Sequence, residues 1–93
     1  MVFIGYLFRG RELKRLGAII HIMDNLLIAR ADSTLEHSVL RENLLVLTSK
    51  MKKIGKIKEI FGPVKAPYIS IKMFKDINSS EIKSLKNERV YLQ

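Results

Sequence analysis

The sequence predicts a small all-β fold, a closed barrel or a compact sandwich, and three observations carry that reading. Several short apolar runs alternate with polar residues at a period of two, the signature of a half-buried strand. Helical periodicity is nearly absent. The chain has 93 residues, enough for one domain and one core, and closing a sheet on itself is the economical way for so small a chain to remove exposed strand edges. Its 47% hydrophobic content supplies that core and excludes wholesale disorder.

The elements follow in order. Residues 1–13, MVFIGYLFRGREL, are set apart as an N-terminal extension. Their apolar start lacks a basic n-region and stops at Arg9, too soon for a signal peptide. Residues 14–93 form the single domain. In LGAIIHIM, Leu16, Ala18, Ile20 and Ile22 are expected on one face of a strand and Ile19, His21 and Met23 on the other. Asp24-Asn25 then supplies a two-residue turn, since both residue types tolerate positive φ, and LLIAR (residues 26–30) runs back as the second half of a hairpin. Ser33 and Glu36 have capping-box spacing, and Leu35, Val39 and Leu40 share a helical face, so the stretch from Ser33 to Asn43 admits a short helix.

A third strand is expected over Asn43–Thr48. In IGKIKEIF, Ile54, Ile57 and Ile60 recur every three residues, which on periodicity alone suggests helix. Gly55 and the Gly62-Pro63 stop leave under two turns, and β-branched residues dominate. The expectation is therefore a strand whose phase is shifted by a bulge near Lys58-Glu59. The run from Tyr68 to Phe74 is the clearest strand, with Ile69, Ile71 and Met73 on one face and Ser70 and Lys72 on the other. Asn78 with Glu81 predicts one helical turn, and Glu88–Leu92 closes the chain as a last strand.

Charge is unevenly spread. The net +8 arises almost wholly in residues 50–75, where eight lysines stand against Glu59 alone. The cluster suits either a solvated face or a surface that attracts polyanions, and phosphate contacts of that kind carry no sequence information. Lys50, Lys52, Lys53, Lys56, Lys58 and Lys65 form the candidate RNA-facing patch. Catalytic chemistry has little support. His21 and His37 lie in different elements, there is no cysteine, and no nucleophile elbow, phosphate-binding loop or metal-ligand spacing occurs, so the expectation is a non-enzyme with no metal and no cofactor. No apolar run reaches the roughly 18 residues of a membrane span, and the expected setting is soluble and intracellular, without a membrane or small-molecule partner.

The stretch GKIKEIFGPVKAPYISIK holds both prolines, Pro63 and Pro67. Each biases the residue before it toward extended backbone, so the loop between them is stiff. Phe61, Val64 and Tyr68 place apolar surface on it. From the residues alone two readings stay open: a pre-ordered docking loop, which loses little entropy on binding, or a plain connection that caps the barrel.

KRLGAIIHIM, LLIAR, KKIGKIKEIFGPVKAPYISIK and ERVYL, taken together, resemble the Gar-one family, the small barrel subunit of box H/ACA ribonucleoproteins, in its compact archaeal-type form. The resemblance runs from Lys14 to about Leu92 and is strongest in IGKIKEIFGPVKAPYISIK. It implies a six-stranded β-barrel of the type found in reductases and elongation factors. It further implies a non-catalytic subunit that docks on a dyskerin-like pseudouridine synthase and supports guide-RNA-directed pseudouridylation of ribosomal RNA. Family members influence a mobile substrate-gripping loop of that enzyme and touch the H/ACA guide RNA weakly or indirectly. The matching docking residues here are Phe61, Gly62, Pro63, Val64, Pro67 and Tyr68, and the implied location is cytoplasmic, or nucleolar in a eukaryote. The Gly/Arg-rich tails of eukaryotic members are missing, with FRGRE as one isolated fragment. The alternative function is an independent RNA-binding barrel in ribosome maturation or translation, against which stands the lack of a regular aromatic platform for stacking bases.

Overall fold

Six antiparallel strands close into a barrel in the computed structural model, which describes residues 13–93. They are β1 (Lys14–Met23), β2 (Leu26–Ala31), β3 (Leu45–Thr48), β4 (Lys53–Phe61), β5 (Tyr68–Met73) and β6 (Arg89–Leu92). Around the barrel the order is β1-β2-β5-β4-β3-β6, so β1 and β6 pair and no edge is left open. A short helix α1 (Ser79–Ser84) precedes β6. The expectations for residues 1–12 lie outside the described residues.

The interior is lined mostly by branched aliphatic side chains. Leu16, Ile19, Leu27, Ala29, Val46, Ile57, Ile69, Ile71 and Val90 are all essentially inaccessible to solvent. At one end of the barrel, that of the β2–β3 and β4–β5 loops, Leu35 packs onto this core. At the other, Ile77 and Leu85 flank α1 and do the same.

Four bulges set the spacing of those side chains. The ladder shifts at Arg15/Gly17, at Ile19/His21, at Val46/Leu47 and at Ile57/Glu59. Each inserts one residue and resets which face the next side chain takes. The bulge expected near Lys58-Glu59 is present, because Lys58 is the residue skipped between Ile57↔Ile71 and Glu59↔Ser70.

The strict alternation expected for β1 does not hold. Leu16 and Ile19 both enter the core, while Ala18 and Ile20 are half-buried outside it. The two bulges in β1 turn a period of two into a local period of three. Ser70 also departs from expectation. It lies outward beside Ile28 and Glu59 in register, yet it is buried, and its hydroxyl has no hydrogen-bond partner among the described residues.

The stretch from Ser33 to Asn43 is not an α-helix. Only His37–Val39 form a 3-10 turn. Asp32 claims the backbone instead: the Thr34 N–H and hydroxyl donate to its Oδ1 at 2.9 and 2.6 Å, and the Leu35 N–H donates to its carbonyl. Such local side-chain bonds compete with helix initiation. Leu35, Val39 and Leu40 still pack on the core, so the apolar pattern was a lid rather than a helix face. β3 begins at Leu45, two residues later than expected, because Asn43 takes φ 71 and its N–H donates across to the Ile57 carbonyl at 2.8 Å. α1 forms as its cap predicts, with the Glu81 N–H donating to Asn78 Oδ1 at 2.9 Å.

Two expected outcomes concern this frame. Met51 sits in the β3–β4 turn at φ 69, a left-handed conformation that costs an ordinary L-residue about 1–2 kcal/mol. Its side chain is 59% exposed and compensates little. Met51→Asn should therefore raise stability by about 0.5–1 kcal/mol, since asparagine tolerates that region. Urea unfolding midpoints measure this, and a lower midpoint would contradict the strain.

The second outcome is acid sensitivity. The Thr34 hydroxyl and N–H hold the Asp32 carboxyl below its ordinary 3.8, with further attraction from Arg15 and Arg89. A depressed carboxyl pKa contributes stability that is present above the unfolded value and lost as pH falls through the folded one. Thr34→Val removes the hydroxyl donor, so it should flatten the fall in melting temperature between about pH 5 and pH 2. An equally steep acid limb would show that Asp32 is not part of it.

Candidate functional site

The β4–β5 connection is built from backbone ties that leave its side chains outward. β4 ends at Phe61, and Gly62 follows at φ +92, a conformation that a side chain rarely adopts. A Cβ there would also stand 2.8 Å from Cδ2 of Tyr68, so glycine is needed for space as well as for conformation. The Ala66 N–H donates to the Pro63 carbonyl at 3.3 Å, closing a turn around Val64 and Lys65. At the far side, the buried Pro67 accepts from the Ala31 N–H at 3.0 Å, which fastens the loop to β2.

Phe61 and Tyr68 are paired across the hairpin, their ring centroids 5.8 Å apart and their planes tilted by 34°. Phe61 is 46% exposed and Val64 86% exposed. Val64 therefore caps nothing in the barrel. Beside them Ile60 shares the inward face with Ile69, but at the barrel mouth it remains partly open to solvent. Sequence reasoning omitted Ile60 from this surface because the expected bulge near Lys58-Glu59 groups it with the inward Ile54 and Ile57, and pattern alone does not show that the barrel mouth leaves it open. The result is an apolar knob centred on Val64, with Phe61 and Tyr68 at its base and Lys65 beside it. It can be buried against another surface but offers no chemistry of its own.

The six lysines of the predicted patch are all exposed, but the barrel separates them. Lys50 and Lys52 border a hollow of mixed charge with Glu81, Glu88 and Arg89, and Lys52 is paired with Glu81. That pairing is the main cause of the lowered Glu81 pKa. Lys53 starts β4, and Lys65 stands on the Gly-Pro loop next to Val64. Lys56 and Lys58 instead join Lys72 and Lys75 around a second hollow of about 440 Å³. The signal for Lys72 was its outward position on β5; finding its partner required the hairpin register, Lys56↔Lys72. His21 is exposed on β1 opposite Ile28. Among the described residues no three His, Asp or Glu side chains gather as a metal site would require.

Comparison with known proteins bears on the chain's family and fold. The family profile described as the Gar1/Naf1 RNA binding region matches residues 13–93. An uncharacterized protein of Methanothermobacter thermautotrophicus is 38% identical over 81 residues, covering 86% of this chain and 83% of that protein. An uncharacterized protein of Methanocaldococcus jannaschii is 49% identical over 45 residues, covering 47% of this chain and 56% of that one. Among solved structures, the Gar1 domain of Naf1 superposes with a TM-score of 0.71 at 24% identity, over 92% of this chain and 87% of that one. That likeness is one of fold.

The packing of Gly62 against Tyr68 is open to a double-mutant test. Gly62→Ala should destabilise the barrel by about 1 kcal/mol or more, from the positive φ and the contact with the ring. In a Tyr68→Ala background the same change should cost less, because the clashing ring is gone while the φ penalty stays. Additive losses in thermal melts would mean that the ring contact carries no energy.

Proposed function

The chain belongs to the Gar1/Naf1 RNA-binding-region family, and from that membership we propose that it is a non-catalytic accessory subunit of the box H/ACA ribonucleoprotein, docking through its Gly-Pro loop on a dyskerin-like pseudouridine synthase. The family is one of RNA-associated accessory domains, and RNA or ribonucleoprotein partners follow from belonging to it. The docking role is the further step. The observation that carries it is Val64, left 86% exposed on a loop that two prolines and two backbone hydrogen bonds hold in place.

An apolar side chain so placed is costly in isolation and favourable when covered. Burying a valine or an aromatic side chain contributes about 1.5–3 kcal/mol, and the loop needs little reordering to realise it. Phe61 and Tyr68 flank Val64 and widen the contact. In this role the barrel supplies shape and apolar contact to the enzyme, which keeps the chemistry of guide-RNA-directed pseudouridylation to itself.

Anchors at the centre of such an interface commonly cost about 2 kcal/mol or more when truncated. Val64→Ala with Tyr68→Ala should weaken binding to the purified synthase at least tenfold, a change of about 1.4 kcal/mol, with a smaller effect on the melting temperature. Ile69→Ala or Ile71→Ala, at fully buried positions, should destabilise the barrel by about 2–5 kcal/mol. Calorimetric titration and thermal melts read the two sets. Unchanged affinity of the folded loop variant for the synthase would overturn the docking role.

A further inference from the structure

We propose that the hollow on the outer wall of β4 and β5, ringed by Lys56, Lys58, Lys72 and Lys75, seats the phosphate backbone of RNA. Lys56 and Lys72 are direct register partners, so two ammonium groups project from opposed positions on one face of the sheet. Like charges directly opposite each other destabilise a strand pair. Lys58 enters as the bulged residue, and Lys75 follows the end of β5. Ile57, Met73 and Phe74 line the hollow between them.

The charge is not neutralised within the barrel. The ion pairs among the described residues are Arg15–Asp32 and Lys52–Glu81, and neither involves this group. Glu42 is the one acid that lines the hollow, against four lysines. Glu59 and Asp76 are their chain neighbours, but Glu59 pairs in register with Ser70 and Asp76 lies beyond the end of β5. Four unpaired cations around a concavity form a site for a ligand that carries several negative charges in sequence.

RNA fits that description better than an acidic protein surface does. Arginine's planar fork favours carboxylate and phosphate alike, so the four lysines act as point charges; a backbone with one charge at every nucleotide meets such charges in series, and the matching family is described as an RNA binding region. Phe74, half-buried, is the one aromatic of the lining, so the hollow lacks a row of aromatic faces on which successive bases could stack, and the contact is to the backbone and carries no sequence preference. The hollow is also separate from the docking knob. The Lys56↔Lys72 pair lies about 13–17 Å along the hairpin from Phe61↔Tyr68, far enough for both to be occupied together.

This inference rests on the RNA-binding reading of the family and is independent of the docking role of Val64. Its test uses the full chain and a fluorescein-labelled oligouridylate of about 20 nucleotides, titrated by anisotropy between about 50 and 200 mM KCl. Replacing Lys56, Lys58, Lys72 and Lys75 by glutamine should weaken binding at least tenfold at the lower salt. It should also flatten the log–log salt dependence by about 3, since four phosphate contacts at roughly 0.7 each are lost. A control with the same charge change at Lys14, Arg30, Lys83 and Lys86, all exposed and outside the hollow, should retain affinity within about threefold.

Thermal melts check that the hollow variant stays folded, and the Lys56→Gln, Lys72→Gln pair alone gives a milder version of the same reading. Equal losses in the hollow and control sets would overturn the site in favour of diffuse charge. Polyglutamate displacing the RNA at equal concentration of charge would overturn it in favour of an acidic protein partner. Capture of the synthase by the same variants, measured in parallel, separates failure of this site from failure of the docking loop.

Discussion

Closure of the barrel depends on backbone passing against backbone at two glycines. A Cβ on Gly17 would lie 1.9 Å from the Arg30 carbonyl oxygen, and one on Gly55 would lie 2.3 Å from that of Lys72. No side chain fits either gap. At these points β1 approaches β2 and β4 approaches β5 closely enough to bend a sheet that six strands alone would leave flatter. The bend draws β1 and β6 together, and pairing between them leaves no edge to template aggregation. Every other feature follows from that curvature. The interior becomes narrow enough for single layers of isoleucine, leucine and valine to fill it, and the bulges take up the mismatch between strand length and circumference.

How much of this was legible depends on whether a feature is local or set by pairing. The Asp24-Asn25 turn and the Asn78 cap are chemistry within a few residues, and both stand where the sequence placed them. The bulge at Lys58 was legible because a glycine and a Gly-Pro stop ruled out the helix that a spacing of three would otherwise suggest. In β1 the same spacing, Leu16 to Ile19 to Ile22, was hidden by intervening apolar residues, so alternation looked adequate and the bulges were missed. The lid around Leu35 failed for another reason: Asp32 competes with Ser33 for the role of cap, and its bonds to Thr34 produce a turn that leads into no helix.

The candidate surfaces divide along the same line. The residues of the Gly-Pro loop are adjacent in sequence, and their grouping survives folding because Gly62, Pro63 and Pro67 determine their geometry locally. The lysines are dispersed over 26 positions, from Lys50 to Lys75, and a charge count says nothing about which of them meet. Register does. Lys56 finds Lys72 across the hairpin, while Lys52 is drawn off to Glu81 on α1. A cluster read along the chain thus disperses: Lys52 is paired, Lys56, Lys58, Lys72 and Lys75 gather around one hollow with no ion pair among the described residues, and Lys53 and Lys65 stand apart from both.

The bulge at Lys58 connects these surfaces to the core. Just before the bulge, Lys56 stands beside Lys72 on the outer wall and Ile57 meets Ile71 inside. With unbroken alternation, Ile60 would also face outward and Phe61 would turn into the barrel, away from Tyr68. The one inserted residue reverses the phase. Ile60 returns to the inward side opposite Ile69, and Phe61 comes out against Tyr68 to support the base of the Gly-Pro loop. This irregularity therefore lets β4 carry a charged wall on one stretch and an apolar knob on the next, while the earlier one, where Ile54 is skipped opposite Val46 and Leu47, brings Ile54 as well as Ile57 into the same closed core.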